Sequence, residues 1–298
     1  MPLPELDVMA AQDAAGLMRE VGYAKINLAL HVRARRPDGY HALESLFAFA
    51  RHGDLLTAVE RKDGAISLNI DGPFAAALGS GADNLVVQAA RALQSRLGER
   101  RGATLTLTKI LPVASGIGGG SADAAATLRL LSRLWGAPAA DRDMEALALS
   151  LGSDVPACFH SVTQMVRGRG EALEARDIPG LAETPMLLVN PGVGVSTARI
   201  FKGWDQVDHG PLIADDVDQL IRNGRNDLQP SAVVEAPAIA DVLQELAHCD
   251  GVRLSRMSGS GATCFALFET AEARNSAAQR LRSRRPGWWV LETEIRGE

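Results

Sequence analysis

Residues 112–125 of this chain read Pro112-Val-Ala-Ser-Gly-Ile-Gly-Gly-Gly-Ser-Ala-Asp-Ala-Ala125, with four glycines among the five positions from 116 to 120. Because glycine carries no Cβ, consecutive backbone N–H groups in such a loop can face one anion. A helix expected from about Ala122 would add its positive end and its unpaired N–H groups. The small side chains at 124–126 would leave room for a bulky diphosphate. The alternative is a flexible turn, but a strand-to-helix connection needs only about 2–6 residues and no run of glycines.

Two familiar phosphate loops do not fit this stretch. A P-loop places Lys and then Ser or Thr after its last glycine, whereas Gly120 is followed by Ser121 and Ala122. The dinucleotide fingerprint needs a third glycine where Ser121 stands and an acidic residue about 20 positions further on. Asp141 and Asp143 lie at about that distance but are typical of helix caps. The sequence therefore predicts a third kind of nucleotide phosphate loop.

The segments around this loop alternate between strand and helix patterns. Ala103–Thr108 alternates apolar and polar residues, which is typical of a half-buried strand. A helix is expected from about Asn84 through Leu97, and Gly136 is the expected residue after the helix that begins near Ala122. Other elements expected in the first half are strands at Tyr23–Val32, Leu55–Glu60 and Ala65–Ile70, a turn at Arg35–Gly39, and a helix from Asp141 or Asp143 to Leu151.

The second half has a βαβ-containing pattern. The expected elements are strands at Pro185–Asn190, Val252–Arg256, Thr263–Phe268 and Trp288–Ile295, and helices at Ala238–His248 and about Ala271–Arg284. A β-rich first half with inserted helices, followed by this pattern, predicts an α+β fold. We expect two domains, residues 1–180 and 181–298.

Composition restricts the class of protein. The chain has 298 residues, of which 46% are apolar and 22% charged, with a formal net charge of −5. That balance argues against broad attraction to nucleic acid or to an anionic membrane, although a small anionic ligand needs only a local cluster of donors. The three widely separated cysteines, Cys158, Cys249 and Cys264, form no disulfide framework.

Residues 1–20, expected to fray, lack the apolar core of a secretory signal, and no window has the ~18 apolar residues of a membrane helix. We expect a soluble cytoplasmic protein.

Lys25 and Asp154 are the candidate catalytic residues. Lys25 lies in the strand expected at Tyr23–Val32, where a lysine is most often solvated, and Asp154 could simply cap a short helix with Pro156 in its first turn. Taken together, the two residues predict a catalytic pair for phosphoryl transfer. A carboxylate beside an ammonium stays ionised and can orient a hydroxyl and accept its proton as it attacks a γ-phosphate. The lysine would stabilise that carboxylate and the charge on the transferred group.

Three other segments are candidates for binding. Ser121 could hold Mg²⁺ or a β-phosphate oxygen, or serve as a helix N-cap. Tyr40 and His41 follow the expected turn and could grip a planar ring, although His41 could be an ordinary loop histidine. Ser258-Gly-Ser-Gly261 is a second glycine turn that could face the first loop across the cleft between the two expected domains.

Together, the lysine-bearing first strand, the Pro-x₃-Gly-x-Gly-Gly-Gly-Ser loop and the late Ser-Gly-Ser-Gly loop resemble the GHMP kinase family. Their order and spacing cover about residues 23–268, nearly the whole chain. Tyr23-Ala-Lys-Ile-Asn-Leu-Ala-Leu30 and Arg36-Pro-Asp-Gly-Tyr-His-Ala-Leu-Glu-Ser-Leu-Phe47 resemble the members that act on a cytidine-diphosphate-linked methylerythritol. The Asp-Gly-Tyr-His segment is the most specific mark, because homoserine and mevalonate kinases lack it.

The resemblance implies a fold and an activity. The fold would be the two-domain α+β GHMP kinase fold, with an N-terminal domain like domain 2 of ribosomal protein S5 and a C-terminal ferredoxin-like domain. The activity would be ATP-dependent, Mg²⁺-assisted phosphorylation of the substrate 2-hydroxyl, a step of non-mevalonate isoprenoid biosynthesis. The partner would be this small molecule, with no nucleic acid or membrane, and the protein would be a monomer or homodimer.

The resemblance also implies residue roles. Lys25 and Asp154 would be the catalytic pair, and Ser121 a possible Mg²⁺ ligand. Asn27, Tyr40, His41, Thr197 and Phe201 would bind substrate. Tyr40 and His41 would hold the cytosine, Phe201 would stack on its other face, and Asn27 would lie near the substrate diphosphate or hydroxyls. The ATP contacts would be Asn84, on the adenosine side, and Pro112, Val113, Ala114, Ser115, Gly116, Ile117, Gly118, Gly119, Gly120, Ser121 and Ala122 around the phosphates.

Some features depart from the family pattern. Ile117 and Ala122 stand where Leu and a second Ser are commoner, and both replacements are conservative. The 20-residue leader has no counterpart and receives no role.

Two alternative functions are a GHMP kinase for another small alcohol and a catalytically silent nucleotide-binding homologue, although the presence of both Lys25 and Asp154 disfavours the latter. An RNA-binding protein is disfavoured by the charge of −5 and the two tyrosines.

Overall fold

Two units are formed by segments that alternate along the chain. The computed structural model describes residues 16–137 and 142–297. The first unit contains the described residues up to Ala24, together with His52–Val113 and Gly119–His160. The second unit contains Lys25–Arg51, Ala114–Gly118 and the described residues from Ser161 onward. The division of the sequence near residue 180 stays a prediction.

The two longest strands contribute residues to both units. They are β1 (Met18–Arg35) and β2 (His41–Arg61). The other elements of the first unit are β3 (Ile66–Asp71), α1 (Leu85–Leu97), β4 (Gly102–Thr108), α2 (Gly119–Leu134), α3 (Arg142–Leu151) and α4 (Val155–His160). In this unit β4 pairs antiparallel with β2 and parallel with β3. Leu105 and Leu107 of β4 are fully buried, while the threonines that alternate with them are half-buried, as the period of two predicts.

The bounds expected for α1 and the residue expected after α2 are confirmed. The Asn84 side chain accepts the Val86 N–H and starts α1, and Gly98 ends it with a left-handed φ of +60°. Gly136 follows α2 with φ +67°, and the Ala137 N–H donates to the Ser132 carbonyl, as in a Schellman cap. These local signals fix where the helices end.

The second unit is mostly antiparallel. Beyond β1 and β2 it contains β5 (Gln164–Gly168), β6 (Ala172–Ala175), β7 (Pro185–Asn190), α5 (Thr197–Lys202), α6 (Val217–Asn223), α7 (Gln229–Glu235), α8 (Ala238–Ala247), β8 (Val252–Met257), β9 (Cys264–Phe268), α9 (Ala271–Arg284) and β10 (Trp289–Glu294). Strand β5 joins β2 to β6, and a separate four-stranded sheet has the order β10-β7-β9-β8. Its core includes Val189 and Phe268 from strands and Val242, Leu246 and Leu281 from helices α8 and α9.

Several expectations need correction. Helix α2 begins at Gly119, not near Ala122, and residues 124–126 are fully buried, so their small size serves close packing and leaves no room for a diphosphate. Met18–Glu20 belong to β1, where Glu20 accepts hydrogen bonds from Arg129 and Arg133. Residues 1–15 of the leader and the candidate cap Asp141 lie outside the described residues. Asp143 is the second residue of α3 and is therefore not its N-cap. Among residues 16–137 and 142–297, we find no helix with the length and apolarity needed to cross a bilayer.

Candidate active site

Lys25 is buried in β1, contrary to the solvated position that lysine usually takes in a strand. Only 5% of the residue is exposed, and its ammonium nitrogen lies 4.2 Å from the centroid of the Phe47 ring. Its backbone N–H donates to the Ile117 carbonyl at 3.0 Å. A Cβ at Gly118 would lie 3.1 Å from the Lys25 Cβ. The middle of the glycine-rich segment, at Ile117 and Gly118, therefore lies directly on Lys25.

The two glycine loops meet, as the sequence predicts, but the residues in contact belong to one unit and do not face each other across a cleft between domains. The Ser258 hydroxyl accepts the Asn27 N–H at 3.1 Å and donates to the Gly116 carbonyl at 3.0 Å. The Thr263 N–H donates to the Ser115 carbonyl. Strand β1, the segment Ala114–Gly118 and the turn after β8 thus form one hydrogen-bonded junction.

Asn27 presents an acceptor without a protein donor. Its Nδ2 donates to the Ser45 hydroxyl, which donates to the Ala29 carbonyl, so the orientation of the amide is fixed. The Oδ1 atom is buried and has no hydrogen-bond partner among the described residues. A buried acceptor left in this state is costly, and a ligand hydroxyl would satisfy it. A phosphate oxygen would not, because it too is an acceptor.

Gly116 shows why this segment needs glycine. Its φ is +79°, and a Cβ there would lie 2.6 Å from the Ser258 carbonyl oxygen and 2.7 Å from that of Gly261. Gly120 differs, since it is helical and a Cβ would meet only the Leu85 Cδ1 at 3.4 Å. Bare backbone is therefore a packing requirement at 116 and not at 120.

This contrast gives a matched pair of variants. We expect Gly116→Ala to lower the free energy of unfolding by at least about 2 kcal/mol, because it combines positive-φ strain with a backbone clash. Gly120→Ala should change it by no more than about 0.5 kcal/mol, since alanine is favoured in a helix. Urea unfolding monitored by circular dichroism measures both values. Equal effects of the two substitutions would contradict the assignment.

The expected cytosine-binding residues form two groups in the second unit. The His41 ring lies 4.9 Å from the Phe201 ring and 5.6 Å, edge-on, from the Trp204 ring. Burial and then the charge of Arg35 lower the pKa of His41. Tyr40 is 59% exposed, and the Arg169 guanidinium lies 5.1 Å from its ring centroid.

Thr197 lies beside the second glycine loop. It is the first residue of α5, and its hydroxyl is 2.9 Å from the Ser260 hydroxyl. This contact connects a residue expected to bind substrate with the turn that holds Gly116.

The remaining expected site residues belong to the first unit. Ser121 is the third residue of α2 and not its N-cap. Asp154 directly precedes the six-residue helix α4, and its carbonyl accepts the Cys158 N–H. Pro156 is the second residue of that helix, as expected for a proline in a first turn. Asn84 uses its side chain as the cap of α1 and also donates to the Gly79 carbonyl.

One charged cluster was missed by the sequence analysis. The Lys109 ammonium is fully buried and donates to Asp54 at 2.5 Å and to Asp123 at 2.7 Å. Burial lowers the pKa of Lys109, but the charges of Asp123 and Asp54 outweigh it and raise the value above its usual range. The sequence does contain a signal for this cluster. An acidic residue, Asp54, and a basic residue, Lys109, each stand beside apolar residues that are expected to be buried.

Comparison with known proteins establishes the family. The model of the GHMP kinases N terminal domain matches residues 84–161, and that of the GHMP kinases C terminal domain matches residues 212–286. The chain belongs to the GHMP kinase family, and its fold is the two-domain α+β fold of these kinases, as the resemblance implied.

Relatives with a more specific name are similar over almost the whole chain. The 4-diphosphocytidyl-2-C-methyl-D-erythritol kinase of Rhizorhabdus wittichii is 50% identical over 93% of this chain and 94% of its own. The kinase of that name from Parvibaculum lavamentivorans is 45% identical over 93% of this chain and 97% of its own. A crystal structure of 4-(cytidine 5'-diphospho)-2C-methyl-D-erythritol kinase superposes with a TM-score of 0.78 at 32% identity, covering 94% of this chain and all of that one. A homoserine kinase from Cytophaga hutchinsonii shares the fold, with a TM-score of 0.74 at 19% identity over 96% of this chain and 97% of its own.

Proposed function

We propose that this chain transfers the γ-phosphoryl group of ATP to the 2-hydroxyl of 4-diphosphocytidyl-2-C-methyl-D-erythritol, as part of non-mevalonate isoprenoid biosynthesis. The observation that carries the proposal is 45–50% identity, over nearly the full chain, to kinases that carry this name. The buried Lys25 beside the glycine-rich segment supports it, because phosphoryl transfer requires a cation close to the bound phosphates.

Residues 112–122 would bind the phosphates of ATP. The segment from Gly116 to Gly120 offers backbone N–H groups, and the first turn of α2 offers unpaired donors and the positive end of a 16-residue helix. Asn84 would lie on the adenosine side. The Lys109 ammonium lies 3.0 Å from the position that a Cβ would take at Gly119. A larger side chain at position 119 would therefore collide with this ammonium, and glycine leaves the backbone of the first turn uncovered.

Mg²⁺ would be held by the ATP phosphates together with the Ser121 hydroxyl. This suits an ion that usually keeps several waters and binds proteins through one or two oxygens plus substrate phosphates. In the described part of the chain no three His, Cys, Asp or Glu side chains cluster as metal ligands. Bound Mg²⁺ would neutralise charge on the phosphates.

The reaction itself needs few groups. The Asp154 carboxylate would orient the 2-hydroxyl and accept its proton as the oxygen bonds to the γ-phosphorus and the bond to the β-phosphate oxygen breaks. ADP leaves with the electron pair of that bond. The Lys25 ammonium would stabilise the charge on the transferred group. The Asn27 Oδ1 would accept a hydrogen bond from a substrate hydroxyl, which fits its lack of a donor among the described residues.

The cytosine would stack on Tyr40. His41 and Phe201 are 4.9 Å apart, and stacked rings keep their centroids at least about 4.5 Å apart, so no third ring fits between these two. Tyr40 has an exposed face for a planar ring. Stacking of Phe201 on the other face of the cytosine stays a prediction, and it requires the His41 ring to move. If His41 binds the edge of the cytosine, it would do so as the neutral imidazole, because its pKa is lowered.

Tyr40→Ala is expected to raise the KM for the cytidine-linked substrate by about tenfold or more, since base stacking on an aromatic ring contributes roughly 1–3 kcal/mol. The KM for ATP should change by less than about twofold in the same variant, because the two ligands use different parts of the chain. Steady-state kinetics with each substrate varied in turn gives both values. An equal rise in both KM values would show that Tyr40 is not in the cytosine pocket.

The proposed function is tested by an ADP-release assay with Mg-ATP. ADP should form with the cytidine-linked substrate and not with homoserine or free methylerythritol phosphate. Comparable rates with homoserine would favour a kinase for another alcohol, and binding of ATP without ADP release would favour a silent homologue. A cytoplasmic location and a monomeric or homodimeric state stay predictions.

A further inference from the structure

Arg256 of strand β8 is a buried cation close to the proposed substrate site. Only 7% of the residue is exposed. Its guanidinium donates to the Leu28 carbonyl of β1 and, at 2.5 Å, to the carbonyl of Gly224, the residue that follows α6. Leu28 directly follows Asn27, and consecutive Cα atoms are only about 3.8 Å apart. The positive charge of Arg256 therefore lies close to the residue proposed to bind a substrate hydroxyl.

The charge of Arg256 is not balanced by a carboxylate of the described residues. Asp227 packs on the same edge of β1, where its N–H donates to the Leu30 carbonyl, but its Oδ1 pairs with the Arg225 Nε at 2.6 Å. Burial lowers the pKa of Arg256 to about 10, so the guanidinium still carries its charge at neutral pH. Two carbonyl oxygens satisfy hydrogen bonds without neutralising that charge, and a buried charge that is not paired is costly.

The proposed substrate has the chemistry that would balance this charge. Its diphosphate is anionic at neutral pH and is attached to C4 of the methylerythritol, next to the carbons that carry hydroxyl groups. A hydroxyl bound by the Asn27 Oδ1 therefore brings the diphosphate within a few covalent bonds of Asn27. In a poorly solvated site, the attraction between a guanidinium and this anion is much stronger than in water.

We propose that Arg256 is a specificity-determining residue whose buried positive charge, placed beside Asn27, favours ligands that carry a diphosphate over ligands that do not. The inference rests on the proposed function, which places the cytidine-linked substrate at Asn27. Arg256 touches no ligand in this scheme. It acts through its charge and is a positioning residue for the diphosphate.

Arg256 also has a structural role, and the two roles can be separated by experiment. Its hydrogen bonds fasten β8 to β1 and to the end of α6. Loss of these bonds would disturb Asn27 and weaken the binding of charged and uncharged ligands alike. Loss of the charge would weaken only the binding of ligands that carry the diphosphate. The ratio of the dissociation constants of cytidine and cytidine 5′-diphosphate (CDP) therefore reports the charge.

Two substitutions change the charge and the hydrogen bonds differently. Arg256→Gln removes the charge, so the ratio of the cytidine constant to the CDP constant should fall by about tenfold. This is the order expected for charges about 10 Å apart at an effective dielectric constant of about 20. Arg256→Lys keeps the charge but loses the planar fork, so its ratio should stay within about twofold of the wild-type ratio.

The experiment measures the binding of CDP and of cytidine by calorimetry for the full chain, the two Arg256 variants and the control Arg253→Gln. Arg253 lies on the same strand, with 31% of its side chain exposed in a surface ion pair with Asp218. The control should keep the wild-type ratio, because a charge at the surface is screened by solvent. An unchanged ratio in Arg256→Gln would overturn the inference. An equal fall of the ratio in Arg256→Lys or in Arg253→Gln would overturn it as well.

A measurement on the unsubstituted chain keeps the inference testable if Arg256→Gln does not fold. The chain should bind CDP at least about tenfold more tightly than cytidine, and equal affinities for the two ligands would overturn the inference. Failure of the proposed function would give a different result. The preference for CDP would then still depend on the charge at position 256, while no ADP was released from the cytidine-linked substrate.

Discussion

Asp154→Asn should lower kcat by at least about 100-fold, because a positioned general base contributes typically 10²–10⁴-fold. Asparagine keeps the size of the side chain and removes the group that accepts the proton. Asp154 directly precedes α4, so the substitution also keeps a side chain able to cap that helix. The dissociation constant of Mg-ATP should stay within about threefold, since the carboxylate is assigned to the hydroxyl and not to the nucleotide. Rapid-quench turnover and calorimetry separate the two quantities.

The control for this variant is Asp218→Asn. Asp218 lies on α6 with 69% of its side chain exposed, and its ion pair with Arg253 is at the surface. We expect kcat to be unchanged there. A value for Asp154→Asn within about tenfold of the wild type would show that this carboxylate is not the base.

Lys109→Met should lower the free energy of unfolding by about 3–5 kcal/mol, the loss typical when one partner of a buried ion pair is removed. Methionine fills similar space but leaves Asp54 and Asp123 buried without a cation. Urea unfolding at neutral pH measures this loss.

Lys62→Met provides the matched control, because Lys62 is exposed at the start of the β2–β3 turn. It should change the free energy of unfolding by no more than about 0.5 kcal/mol. A loss in Lys109→Met below about 1 kcal/mol at neutral pH would contradict the buried cluster.

The elements that the sequence predicted well are those with strong local signals. Strand β7 and helix α9 have the predicted bounds, and α1 begins within one residue of its predicted start and ends at its predicted last residue. Strand β2 was predicted only at Leu55–Glu60 and extends over His41–Arg61, whereas the strands and helices that were missed entirely are short. Strand β6 has four mostly exposed residues, and α5, α6 and α7 have six or seven each, too few for a periodic pattern to be visible.

In the site, too, features set by neighbouring residues in the sequence could be predicted, and contacts between residues far apart in the sequence could not. The glycine-rich stretch could be interpreted from its own residues, but the reason for glycine at 116 is the Ser258 carbonyl, which is 142 residues away. Likewise, Asp54 is 55 residues from Lys109, and no local pattern relates the two. Burial of Lys25 also depends on neighbours from other segments, such as Phe47 and Ile117.

The most direct measurement is phosphorus NMR of the products formed from Mg-ATP and the cytidine-linked methylerythritol. Our account predicts one new phosphate monoester on the 2-oxygen, formed in step with ADP, while the two diphosphate signals of the substrate remain. ADP accompanied only by inorganic phosphate, or a monoester at another oxygen, would contradict it.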